Sequence, residues 1–487
     1  MSKLTIKINK EDCTFSGTIK QCSVVRKSIQ VYNPNCFYSD KFKKGFWDGY
    51  MKYYSGNKFK KGLLDVILPV LKAKRIRYEI IEEEKEVFNL AKLNPLLFTH
   101  QKKAARNFLK ERFGIVVVPT RGGKTYISAE IIRQIKIKMK NNLKVLFLVD
   151  GVDLFKQTVS ELSSYLGIDE DDIGKFNDKN FNISNVNVGM IQTLTSVKRG
   201  NNIERKKILN RLFREINFLI IDECHEYSSK QRISFIKCFK NLSFRLALSA
   251  TPFKDDLNHR FTILQNFGSV VYRVTRKQLV EAGVLSDDKA FLIYYENDKK
   301  IEANNYQDYL KQKIHDNLDR SVLMHRIIKI CLKNNLKTLV LFNSKAFGKV
   351  FSEMTNYPFI SGDDKSHIRD IEKRNFLTGN SDVLLASNIF KKGITLPEAQ
   401  IIFLTDGGQE SSTIMQKRGR VLGTTKNKSR ALLIDVIDIG TKYLSEHALN
   451  RLELYDSEFG KNKIEIYDKT ELLELEEYVV VTTLQID

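Results

Sequence analysis

Residues 115–125 read Ile-Val-Val-Val-Pro-Thr-Arg-Gly-Gly-Lys-Thr. An apolar run, a glycine turn and a segment able to start a helix at Tyr126 follow one another. This is the setting in which backbone N–H groups at a helix N-terminus cradle a phosphate. There Lys124 would neutralise the terminal phosphate oxygens, and the Thr125 hydroxyl would ligate Mg²⁺. The common form of such a loop has glycine where this chain has Val118. Residues 218–225 read Phe-Leu-Ile-Ile-Asp-Glu-Cys-His, an apolar strand closing on two carboxylates. Asp222 can hold Mg²⁺ through water, and Glu223 can orient and deprotonate an attacking water. Either stretch alone arises often by chance. Both in order, each behind an apolar strand and far enough apart for two further strand–helix units, point to hydrolysis of a nucleoside triphosphate.

The elements that must position these residues show in the hydrophobic pattern. Short, fully apolar runs at 115–118, 145–149, 218–221 and 246–248 alternate with longer amphipathic segments. A second series follows at 338–342, 383–386, 401–404 and 431–434. Such runs fit strands buried on both faces, and their alternation with helices predicts parallel α/β sheets. The fold class expected is α/β: two tandem parallel-sheet domains preceded by a small α+β domain. The boundaries are set at 1–88 for the small basic, aromatic domain, 89–285 and 286–445 for the two α/β domains, and 446–487 for a C-terminal extension. Alternation at Leu4, Ile6 and Ile8 predicts a strand, residues 63–70 a helix, and the acidic stretch 82–86 a linker or solvated helix end.

Further motifs resemble those of superfamily 2 helicases. Asp222-Glu-Cys-His225 is similar to their D-E-x-H box and Ser249-Ala-Thr251 to the S-A-T motif beyond it. Thr120, Arg121, Gly122, Gly123, Lys124 and Thr125 resemble the phosphate loop, with Arg121 in place of the usual glycine. Gln101 resembles the adenine-reading glutamine upstream, and Gln192-Thr193 a nucleic-acid-contacting segment. In the second domain Gly393 resembles motif V, and Gln416-Lys-Arg-Gly-Arg420 motif VI. The segments 42–49, 59–64, 361–362 and 419–422 resemble a phage branch-migrating type within the family. The resemblance implies two RecA-like lobes and an ATP- and Mg²⁺-dependent motor that moves Holliday junctions and regresses forks. It implies Lys124, Asp222, Glu223, Gln416 and Arg420 as catalytic residues, and Gln101, residues 120–125 and Gly393 as the ATP site. It further implies Thr125 and Asp222 as Mg²⁺ ligands, and His225, Ser249 and Thr251 as the coupling between phosphate and lobe movement. The family's second motif VI arginine is Gly423 here, so Arg420, with Arg418 nearby, is expected to face the phosphates.

Composition names the partner class. The chain has 487 residues, with 80 Lys plus Arg against 58 Asp plus Glu, a net charge of +22. The bias favours an extended polyanion, nucleic acid before membrane. An apolar share of 42% excludes a disordered chain. The six cysteines are scattered without metal-ligand spacing, as reduced thiols would be. The first residues lack a leader's apolar run, and no stretch is long and apolar enough to span a membrane, so a cytoplasmic protein is expected. Between 41 and 61 lysines interleave with aromatics. Lys43, Lys44, Lys60 and Lys61 are read as phosphate contacts, and Lys391 and Lys392 as backbone contacts beside motif V. The aromatics, Trp47 foremost, are read as the small domain's core. The partner expected is branched or forked DNA. Three alternatives stay open: an RNA or RNA–DNA hybrid helicase, a slow ATP switch or DNA-binding scaffold, and the motor subunit of a restriction-type nuclease complex.

Overall fold

The computed structural model describes residues 3–82, 88–254, 256–285, 287–296, 306–387, 398–405, 430–440, 442–459 and 463–468. The chain divides into two compact units. One holds residues 1–119 and 123–274, the other 120–122 and 275–487.

The first unit opens with a five-stranded sheet. β1 (Leu4–Asn9) pairs with β2 (Asp12–Ser16), and α1 (Ile19–Ser28) follows. A small ribbon of β3 (Gln30–Tyr32) and β4 (Tyr50–Lys52) stands apart. β5 (Tyr54–Ser55), β6 (Lys58–Lys60) and β7 (Tyr78–Glu82) complete the sheet in the order β5-β6-β2-β1-β7. Leu4, Ile6 and Ile8 alternate inward and are buried, as the sequence pattern requires. α2 (Leu64–Ala73) covers them with Leu64, Ile67 and Leu71.

A seven-stranded, wholly parallel sheet comes next, in the order β10-β11-β9-β12-β13-β8-β14. Its strands are β8 (Phe113–Val117), β9 (Val145–Val149), β10 (Gly174–Phe176), β11 (Val186–Met190), β12 (Phe218–Ile221), β13 (Phe244–Ser249) and β14 (Val270–Arg273). The helices that concern the site are α3 (Thr99–Glu111), α4 (Lys124–Met139), α5 (Ile191–Arg199) and α6 (Leu257–Phe267). The four fully apolar runs fall on β8, β9, β12 and β13, where helices on both faces remove them from water.

The small domain does not hang free of this sheet. Its buried residues and those of the α/β sheet form one continuous apolar cluster. Tyr53 meets Phe261 of α6 edge-on at 5.3 Å, and its hydroxyl donates to the Asn258 carbonyl at 3.0 Å. A Cβ at Gly62 would lie 2.1 Å from the Leu264 carbonyl oxygen, so glycine is what lets the two backbones meet. Arg245, at the start of β13, forms an ion pair with Glu11 in the β1–β2 turn.

The second unit repeats the architecture. β15 (Asp287–Glu296), β16 (Thr338–Leu341), β17 (Phe359–Ile360), β18 (Val383–Ala386), β19 (Ile401–Leu404), β20 (Arg430–Ile439) and β21 (Ile464–Asp468) form a parallel sheet ordered β17-β18-β16-β19-β20-β15-β21. The C-terminal segment thus contributes an edge strand. α7 (Leu318–Lys333) and α8 (Lys442–Phe459) pack on the sheet. Arg320 is wholly buried and donates two hydrogen bonds to Asp438, at 2.7 and 2.9 Å.

The expected class, two tandem parallel-sheet domains with a small α+β region in front, is the architecture found. All six cysteines are free thiols. Among the described residues no helix is long and apolar enough to cross a membrane. The aromatics between 41 and 61 are corrected in part. Tyr53 and Phe59 are core, but Phe46 is 81% exposed and Tyr50 is exposed too. Trp47 is half-buried, edge-on to Phe42 at 6.4 Å, with its indole N–H on the Tyr50 carbonyl. The ribbon is too small to enclose this many rings.

Candidate phosphate site and nucleic-acid interface

β12, β13 and β8 are neighbours in the first sheet, so their C-terminal ends lie side by side. That is where an open parallel sheet offers a crevice for ligands. The three ends deliver Asp222 and Glu223, then Ser249, then the loop that leads into α4 at Lys124. Residues far apart in sequence therefore converge for a topological reason.

Lys124 Nζ donates to Glu223 Oε1 at 2.6 Å and stands 3.9 Å from Asp222 Oδ1. The His225 ring lies between two carboxylates. Its Nδ1 is 3.3 Å from Glu223 Oε2 and 3.0 Å from Ser249 Oγ, and its Nε2 is 3.3 Å from Glu226 Oε1. The Ser249 hydroxyl donates in turn to Glu223 Oε2 at 3.3 Å and accepts from the Thr251 N–H at 3.1 Å. Burial alone would keep the His225 ring neutral. Hydrogen bonds to Glu223 and Glu226 outweigh it and raise its pKa from 6.5 to about 9, so both ring nitrogens donate at neutral pH. Glu223 has the mirror-image balance: burial opposes its charge, but Lys124 and His225 hold its carboxyl far below the usual range. Glu226 falls to about 2, first through its bond to His225.

The backbone is strained where the chemistry is set. Glu223 is left-handed, with φ 48° and ψ 55°, which swings its carboxylate back toward Lys124. Arg121 also has a positive φ of 65°. The arginine that replaces the family's glycine thus keeps the conformation for which glycine is favoured. Gly123, at φ 81°, is the N-cap of α4, and a Cβ there would lie 2.1 Å from Gln101 Nε2. Gln101 is buried, and its Oε1 accepts from the Phe98 N–H at 3.0 Å. Its amide is therefore pressed against the phosphate loop.

The donor set suits Mg²⁺. Thr125 and Asp222 offer a hydroxyl and a carboxylate, hard oxygens only, and Asp222 is held in place by the Glu223 N–H at 3.0 Å. Among the described residues no three His, Cys, Asp or Glu gather to hold a metal, so an ion held by Thr125 and Asp222 would need further oxygens from outside the protein.

Lys124, Asp222, Glu223, His225, Ser249 and Thr251 are thus brought together, with Gln101 against Gly123. Gln192 is exposed at the start of α5, but Thr193 is buried and its hydroxyl donates to Asp178 at 3.0 Å. Lys43 and Lys44 are exposed. Lys60 pairs with Asp12, and Lys61 with Glu82 and Glu111, at 2.9, 2.7 and 3.0 Å. Gly393, Lys391, Lys392, Gln416, Arg418, Arg420 and Gly423 lie outside the described residues. Sequence reasoning passed over Glu226. Its one signal was a third carboxylate directly after the Asp-Glu-Cys-His run.

Residues 94–254 match the family "Type III restriction enzyme, res subunit", and residues 320–422 match "Helicase conserved C-terminal domain". The chain is 25% identical over 456 residues to the DNA 3'-5' translocase XPB2 of Sulfurisphaera tokodaii, covering 83% of this chain and 95% of that protein. It is 24% identical over 390 residues to the ATP-dependent DNA helicase uvsW of Enterobacteria phage T4, covering 74% and 75%. Among solved structures, Saccharomyces cerevisiae Dbp5 bound to RNA and ADP BeF3 superposes with a TM-score of 0.57 at 16% identity, over 80% of this chain and 93% of that one. That likeness bears on the fold alone.

Proposed function

The chain is a superfamily 2 helicase similar to uvsW, and from that premise we propose that it spends ATP to move branched or forked DNA, migrating junctions and regressing forks. The observation that carries the proposal is the chain of contacts Lys124–Glu223–Ser249/His225 at three adjacent strand ends.

The protein's own groups divide the work. Lys124 is the charge an incoming triphosphate competes for. Once its Nζ turns to phosphate, Glu223 loses the partner that most depresses its pKa and becomes a better base toward water. Ser249 and His225 then hold Glu223 Oε2, which leaves Oε1 to accept the water's proton. Thr125 and Asp222 would hold Mg²⁺, which neutralises charge on the phosphate oxygens. Gln101 props the loop that grips the phosphates. Arg420, Gln416 and Gly393 are proposed as the second lobe's contribution.

DNA contact is assigned to Lys43 and Lys44 beside the exposed Phe46, and to Gln192, Lys391 and Lys392. Lys60 and Lys61, already paired with carboxylates, are left out. The net charge of +22 supports contact through phosphates, hence recognition of DNA shape before sequence.

The test is steady-state ATPase of the full chain alone and with single-stranded DNA, duplex, a four-way junction and RNA. Junction DNA is expected to stimulate most, and Lys124→Ala or Glu223→Gln to lower stimulated turnover by about a hundredfold or more. Turnover that no DNA stimulates would refute the motor, and greater stimulation by RNA would move the substrate to RNA.

A further inference from the structure

His259 belongs to none of the motifs above. It lies in the first turn of α6, is 6% exposed, and uses both ring nitrogens. Its Nδ1 is 3.3 Å from the Lys254 backbone nitrogen, which can only donate, so Nδ1 accepts. The ring proton is then on Nε2, which donates to the His225 carbonyl at 2.7 Å. Burial favours this neutral form. One imidazole therefore ties the loop that runs from Ser249, the last residue of β13, through Thr251 to Lys254, to the turn after β12, which carries Glu223 and His225.

The same helix turn receives the small domain. Tyr53 Oη donates to the Asn258 carbonyl at 3.0 Å and lies 3.3 Å from Asn258 Oδ1 and from Thr262 Oγ1. Asn258 and His259 are consecutive, and Asp256 caps both their N–H groups, at 3.0 and 3.1 Å. A displacement of the small domain on α6 must therefore reach His259.

We infer that α6 is a strut between the small N-terminal domain and the hydrolytic turn, in which His259 is a positioning residue for Glu223 and the Tyr53 hydroxyl links DNA engagement to turnover. The inference rests on the reading of Glu223 as the base. An imidazole bridging two main chains fixes an angle between loops, and small misplacements of a catalytic group cost much in rate. It touches no substrate, so it acts on kcat and leaves ATP binding alone.

The experiment compares His259→Phe, His259→Gln and Tyr53→Phe in the full chain, with thermal melting to select folded protein. Glutamine can offer an acceptor and a donor at similar places, whereas phenylalanine keeps the volume and loses both bonds. The Phe variant is expected to lower kcat about tenfold with KM for ATP unchanged, and the Gln variant to recover most of the loss. His259→Met takes the place of the Phe variant if that one does not fold. Tyr53→Phe, which removes a single oxygen, is expected to bind junction DNA as wild type does, to keep its DNA-free turnover, and to lose about threefold of the DNA stimulation. A folded Phe or Met variant with wild-type kcat, a Gln variant as slow as the Phe variant, or full stimulation in Tyr53→Phe would overturn the inference. If DNA stimulates nothing in the wild type, the motor reading fails instead, and DNA-free kcat still decides the role of His259.

Discussion

Replacing Glu226 by glutamine isolates one side of the His225 clamp. The amide keeps the shape and can still accept from Nε2, but the charge is gone. His225 is raised from 6.5 to about 9 in the folded chain, and Glu226 is lowered from 4.5 to about 2. At about 1.4 kcal/mol per pH unit the histidine shift alone would correspond to roughly 3 kcal/mol. That shift is shared with Glu223, and the Glu226 side chain is 44% exposed. Solvent screening then leaves the Glu226 share at about 1 kcal/mol. The sign follows from linkage. A raised histidine stabilises fully below 6.5, and the benefit is lost as pH rises through about 9. A depressed carboxylate stabilises above 4.5, and the benefit is lost as pH falls through about 2. Wild type should therefore melt above Glu226→Gln by about 2–4 °C near pH 6, and the two should converge by about pH 10. Paired thermal melts at these two pH values check it. A difference equal at both, or one that grows with pH, would refute the charge pairing of Glu226 and His225.

Gly123→Ala sets a Cβ 2.1 Å from Gln101 Nε2 on a residue with φ 81°, so KM for ATP should rise about tenfold or more while the fold persists, as ATP titration of the purified variant would show. Gly62→Ala places a Cβ 2.1 Å from the Leu264 carbonyl oxygen, so the first unit should lose about 2–3 kcal/mol, read as a drop in its melting temperature. Arg320→Ala strands the buried Asp438 charge and should cost the second unit about 3–5 kcal/mol, whereas Arg320→Met with Asp438→Leu should recover most of it in denaturant unfolding.

Much of this was legible in the chain because burial on two faces leaves a plain mark. β8, β9, β12 and β13 are apolar at nearly every position, and Asp222 and Glu223 follow β12 immediately. The edge strands β10, β14 and β21 carry no such mark, since one face meets solvent and each run is short. The phosphate loop was readable despite Val118 and Arg121, because its lysine, threonine and following helix are local. The Glu226 contact was not, since adjacency in sequence does not show that the two side chains turn toward each other, and the His259 bridge was not, since it depends on which loops the sheet order brings together. The small domain's seat on α6 was hidden for the same reason. Tyr53 and Gly62 look like an ordinary aromatic and an ordinary turn glycine until Phe261 and Leu264 arrive from two hundred residues away.

That seat has a mechanical meaning. The small domain and the first sheet bury a single core, with Arg245 and Glu11 stitched across it. The five-stranded sheet therefore forms one body with the strands that deliver Asp222, Glu223 and Ser249, whereas Phe46, Lys43 and Lys44 lie on the ribbon beyond that core. A push on that sheet is a push on the scaffold of β8, β12 and β13, with Gly62 against Leu264 and Tyr53 against Phe261 leaving no gap between them to absorb it.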